Sequence, residues 1–120
     1  MSAQPDRHPA QESDDPLGLD LVSVGALVRR PLPDSVAGCR AAIDEVDLAL
    51  AALLEYRAAL SAQVQRLKPV GGHAGRDRTR EAEIVARMSR RAPRLGAARL
   101  QRIMSAVIEA GLDAAEQRGV

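Results

Sequence analysis

Apolar side chains recur along the first half of the chain with alternating gaps of three and four residues: Val36, Cys39, Ile43, Val46, Leu50, Leu53, then Leu60, Val64 and Leu67. That spacing draws one continuous stripe along a helix and predicts a seam that packs against another helix. Asp34 or Ser35 is placed to cap its start, and its period holds to Lys68, where Pro69 and the Gly71-Gly72 pair stop it. A helix of about 34 residues is roughly 50 Å long at ~1.5 Å rise per residue, beyond the ~30 Å span of a small domain. One chain cannot cover such a stripe. A second helix is predicted to start near Asp77, with Ile84, Val85 and Met88 on its apolar side, and to end at Ala92-Pro93. A third is predicted from about Gly96 to Gln117, with a stripe of Leu100, Ile103, Met104, Val107, Ile108 and Leu112. No strand-like alternation and no internal repeat occurs. The expected fold class is therefore all-α: a three-helix chain with one long N-terminal helix, paired in an intertwined homodimer whose long helices pack on each other.

Ahead of these helices the pattern dissolves. Residues 1 to about 18 are polar, acidic and proline-punctuated, the composition of a disordered tail, and Pro31 and Pro33 mark a second boundary. Residues 1–33 are accordingly expected to be a disordered or loosely packed extension, and residues 34–120 the folded domain. The apolar piece LDLVSVGALV is too short to span a bilayer and reads as a segment that packs on the domain or on a partner. The N-terminus lacks the basic and apolar regions of a signal peptide, so a cytoplasmic chain is expected.

Composition narrows the chemistry. Apolar residues make up 46% of the 120, yet there is no Phe, no Trp and one Tyr, so the core must be aliphatic. A formal charge of +1 gives no ground for a nucleic-acid or membrane partner. Cys39, the sole cysteine, excludes an intrachain disulfide and, lying on the apolar seam, reads as a small buried hydrophobe. His8 and His73 stand in unrelated contexts, which leaves no metal cluster, and nothing in the sequence calls for a cofactor.

Arg57 breaks the seam. It fills the slot between Leu53 and Leu60, where an uncompensated guanidinium would cost several kcal/mol, so an anion should meet it. Lys68, eleven residues on, returns to within about 20° of the same face, whereas Arg40 lies roughly 100° around and would reach a shared site from the other subunit of an antiparallel dimer. Asp77, Arg80 and Glu81 stand at i, i+3 and i+4 on the rim of the second helix's apolar face. Taken alone, DRTRE reads as an N-cap aspartate with first-turn ion pairs, and Glu81 could itself be the counter-ion of Arg57. Together, two or three cations and two acceptors suit a small dianion that carries a hydroxyl. No nucleophile-base pair accompanies them, so the constellation is built to bind and polarise.

The ordered set R-x-x-I-x-x-V-D (Arg40 to Asp47), LLEYR (Leu53 to Arg57), Lys68, a glycine-containing loop, D-x-x-R-E (Asp77 to Glu81) and VIEAGL resembles the all-helical class of chorismate mutases over about residues 34–117. The resemblance implies a dimer with two sites that converts chorismate to prephenate without a cofactor. It further implies that Arg57 and the partner chain's Arg40 bind the carboxylates and that Lys68 contacts a carboxylate and the ether oxygen. Asp77 and Glu81 would receive the ring hydroxyl, with Arg80 holding that corner. The last helix departs from the family pattern E-x-S-x-x-x-Q: Gly111 stands for the serine and Ala115 for the glutamine. Losing one oxyanion donor costs on the order of 3 kcal/mol, so weakened activity, a modified or amino-substituted chorismate, or isochorismate with pyruvate elimination stay open. So does a non-catalytic helical dimer that regulates a partner.

Overall fold

A computed structural model describes residues 21–68 and 76–119, and side chains over 24–68 and 76–116. The described residues form four α-helices: α1 (Leu21–Val28), α2 (Val36–Leu67), α3 (Arg78–Arg91) and α4 (Gly96–Gly119). The three expected helices appear within about two residues of their expected ends, and the apolar piece before them forms α1. The tail to residue 20, with His8, and the glycine loop at 69–75, with His73, lie outside the described residues.

The chain divides into two compact units, one up to Leu53 and one from Leu54 to Val120. In the first, the turn into α2 is tightly built. Ser35 Oγ accepts from the Gly38 amide at 3.0 Å, which makes Ser35 the cap of α2. A Cβ at Gly38 would stand 3.0 Å from Pro33 Cβ, so glycine lets the proline segment fold back on the first turn. The Cys39 thiol donates to the Pro33 carbonyl at 3.6 Å from a half-buried position, and Arg30 pairs with Glu45 at 2.6 Å.

In the second unit, α3 and α4 pack together. Leu100, Met104 and Leu112 of α4 are the fully buried apolar side chains among the described residues. Val107 and Ile108 are half-buried beside them, whereas Ile103 is exposed. A four-residue turn joins α3 to α4: Ala92 caps α3, its carbonyl accepts from the Gly96 amide at 3.0 Å, and Gly96 adopts φ 80°. That left-handed conformation costs an L side chain about 1–2 kcal/mol, which accounts for the glycine.

The seam of α2 behaves differently from the stripe of α4. No residue of α2 is fully buried, and Ile43, Val46, Leu50, Leu53, Leu60 and Val64 are all exposed within the chain.

Candidate functional site

The start of α3 shows how the local sequence builds a site. Asp77 is the N-cap, and its Oδ1 accepts from the Arg80 amide at 3.0 Å, filling one of the amide groups that a helix start leaves without a partner. The residue before the cap, Arg76, then meets the fourth residue of the helix, Glu81. In many helices this pair of positions is a hydrophobic staple. Here it is an ion pair. Arg76 Nε donates to Glu81 Oε2 at 2.9 Å and Nη2 donates to Oε1 at 2.7 Å, a two-pronged contact. The remaining prong, Nη1, donates to Glu109 Oε1 of α4 at 2.8 Å. The side chains of Arg76 and Glu81 are 9% and 17% exposed, which makes this the most enclosed ion pair among the described residues.

These contacts fix protonation states. The hydrogen bonds from Arg76 hold the Glu81 carboxyl below the usual carboxylate range against the opposing effect of burial, with a smaller contribution from Arg78 at 3.6 Å. Reciprocally, Glu81 strengthens the hold of Arg76 on its proton, and burial again works the other way. At neutral pH both groups are charged.

A cavity of about 410 Å³ opens beside this pair. Its polar lining is Arg57, Arg76, Asp77, Arg80 and Glu81, with Ser61 and Gln65; its walls are Leu60, Val64, Ile84, Ile108 and Leu112. Arg57 is half-buried there, and among the described residues it has no ion-pair partner. Three cations face two carboxylates, one of which is engaged as a helix cap and the other gripped by Arg76. An adjoining groove shares Arg57, Arg80 and Ile84 and adds Arg87, Met88, Arg90 and Arg91. None of its five arginines makes an ion pair among the described residues.

Of the residues singled out in the sequence, Arg57, Asp77, Arg80 and Glu81 come together in one cavity. Lys68 is exposed at the end of α2 and lies outside that lining. Arg40 is exposed on the first turns of α2, in the N-terminal unit. The counter-ion of Glu81 is Arg76 rather than Arg57, and Arg76 is the residue that sequence reasoning passed over. Its signal was its place just before the cap aspartate, five positions from Glu81. At Gly111, which is buried, an added Cβ would meet no atom within 4 Å, and Ala115 is half-buried one turn on. No group of three or more metal-ligating side chains occurs among the described residues, and no described helix is long and apolar enough to cross a membrane.

Fold and cavity together define an all-helical protein with a cation-rich, apolar-walled pocket. Residues 39–116, well over half of the chain, match the family profile Chorismate mutase type II, and the chain belongs to that family. No curated protein and no solved structure matches it significantly. The matched stretch holds Arg40, Arg57, Lys68, Asp77, Arg80, Glu81, Gly111 and Ala115, and it leaves α1 outside.

Proposed function

We propose that the protein is a chorismate mutase acting as a homodimer, with residues 34–120 as its domain and residues 1–33 as an extension. The observation that carries this reading is Arg57: a half-buried guanidinium, walled by leucine, valine and isoleucine, without a counter-ion among the described residues. A charge held in such surroundings is costly unless an anion completes it, and chorismate brings two carboxylates.

The rearrangement is intramolecular and needs no nucleophile from the protein. It needs the enolpyruvyl arm held over the ring and negative charge on the breaking ether oxygen stabilised. Arg57 and Arg40 of the second subunit take the carboxylates, Lys68 reaches a carboxylate and the ether oxygen, and Glu81 accepts the ring hydroxyl with Asp77 and Arg80 beside it. The arginine-lined groove adjoining the cavity raises the local concentration of a dianion. The dimer is supported by the exposed seam of α2. Each of its side chains is already about half covered, so burying the rest contributes about 1 kcal/mol apiece, and an antiparallel partner is what brings Arg40 to Arg57.

One observation favours a second reading with the same fold. The open space at Gly111 would admit a chorismate relative bulkier than chorismate itself; isochorismate undergoing pyruvate elimination, an isomer of the same size, rests instead on Gly111 and Ala115 standing where the family carries serine and glutamine. Purified protein incubated with chorismate decides between them: prephenate forming faster than in buffer supports the mutase. Unchanged chorismate together with turnover of isochorismate rejects it. Failure to bind either compound points to a non-catalytic helical dimer.

A further inference from the structure

We propose that Arg76 is a positioning residue: its two-pronged grip on Glu81, tied by its third contact to Glu109 of α4, fixes Glu81 as a charge-compensated acceptor that takes a ring hydroxyl in preference to a ring ammonium. This rests on the mutase reading given above and adds a determinant of specificity to it.

The geometry supports the role in three steps. Both carboxylate oxygens of Glu81 receive one N–H each, at 2.7 and 2.9 Å, which sets the plane of the carboxylate and leaves each oxygen an outward lone pair. The contact to Glu109 at 2.8 Å ties the same guanidinium to α4, so Glu81 is braced by two elements rather than by its own flexible stem. With Arg76 9% and Glu81 17% exposed, little water competes for their mutual contact, while the Glu109 end of the brace is half exposed.

Charge decides what such a carboxylate binds. The groups facing Glu81 are Arg76 before α3, Asp77, Arg78 and Arg80 at the start of α3, Arg57 across the cavity from α2, and Glu109 from α4 through Arg76. Four guanidiniums (Arg57, Arg76, Arg78 and Arg80) face three carboxylates (Asp77, Glu81 and Glu109), so cations outnumber anions around Glu81. A hydroxyl donates one hydrogen bond to Glu81 and asks for no net negative charge. An ammonium at the same place meets a compensated carboxylate and like charges nearby, which disfavours it. Keeping Glu81 ionised also keeps it an acceptor at mildly acidic pH.

Two measurements test this together, on full-length protein and its Arg76→Met and Arg76→Lys variants. The first follows the Glu81 carboxylate carbon by NMR across pH, with Glu81→Gln to assign the signal. The second compares kcat/KM for chorismate and for the analogue whose ring hydroxyl is replaced by an amino group. In Arg76→Met, Glu81 should titrate at higher pH, the acid limb of kcat/KM should move up with it, and the preference for the hydroxyl substrate should fall about tenfold. Arg76→Lys keeps the charge without the fork and should fall between; it carries the test if the Met variant does not fold. An unchanged Glu81 titration, or equal losses for both substrates with the ratio preserved, would overturn the positioning role while leaving the mutase reading intact. Wild-type protein that neither binds nor converts chorismate would instead bring down the mutase reading, and the specificity with it.

Discussion

Arg76 and Arg57 line one cavity under opposite conditions. Arg76 sets its guanidinium against two carboxylates with three hydrogen bonds of 2.7 to 2.9 Å. Arg57 sits among aliphatic side chains of α2, α3 and α4 with no ion-pair partner among the described residues. An arginine whose three nitrogens are all engaged within the chain braces its neighbours, and removing it releases Glu81 from its two-pronged contact. One that keeps its donors for something else is a cost to the folded chain, retained for what it binds. The cavity thus has a finished side, built around Glu81, and an unfinished side, built around Arg57.

The largest effect should come from the unfinished side. Arg57→Ala is expected to lower kcat/KM for chorismate by at least about a hundredfold, the scale of losing one charge-stabilising contact in a transition state. Helix content and the thermal midpoint should stay close to wild type, because no ion pair is broken; circular dichroism on the same sample checks this. If Arg57→Ala unfolds the chain, the contrast with Arg76 is lost and Arg57 is structural.

If the unfinished side is completed by a second subunit, mixing inactive Arg40→Ala and Arg57→Ala proteins should restore activity. Random exchange places both substitutions in one site of each heterodimer and neither in the other, so recovery should approach about a quarter of the wild-type rate. Subunit exchange demonstrated by mass spectrometry without any recovery would place Arg40 outside the site.

On the finished side the expected signature is pH-dependent stability. Because the Glu81 carboxyl is held below its ordinary value of about 4.5, its ionic contacts stabilise the fold above that pH. The contribution is lost as pH falls through the lower folded-state value, since the unfolded chain takes up its proton first. Denaturant midpoints of wild type and Arg76→Met should therefore differ at pH 7 and converge on acidification below about 4.5. Parallel curves at every pH would mean that the pair contributes nothing through charge.

How much of this contrast the sequence reveals depends on whether it is written in period or in placement. The three-four spacing from Val36 to Leu67 locates α2, and with it Arg57 as the cation out of place, because helix period is a local property. Asp77 as a cap and Ala92-Pro93 as a stop are equally local. Arg76 reads as the last residue of a glycine-rich loop, and its partners lie five and thirty-three positions away. Its link to Glu81 follows from cap geometry, which joins the residue before the cap to the fourth residue of the helix, a rule ordinarily sought with apolar pairs. Its link to Glu109 depends on how α4 packs on α3, and no local pattern carries that. Ile103 is similar: it keeps the helical period of the α4 stripe, yet within the chain it is exposed, and periodicity alone does not say which neighbour covers a residue.

The smallest effect tests whether the space beside Gly111, which is not itself part of the cavity lining, belongs to the site. Gly111 precedes the lining residue Leu112, is buried, and has open space where a Cβ would stand. Glycine inside a helix costs roughly 0.5–1 kcal/mol relative to alanine, so Gly111→Ala should raise the unfolding free energy by about that amount. With chorismate as the substrate, an added methyl in open space should leave kcat/KM within about twofold, since fewer contacts than a methylene's worth are altered. If Gly111→Ala stabilises the protein and yet slows turnover or weakens binding well beyond that, the space is occupied during the reaction, and the substrate carries a substituent that the side chain of the alanine displaces. Glycine would then persist in α4, against its cost to the helix, because the ligand needs the volume.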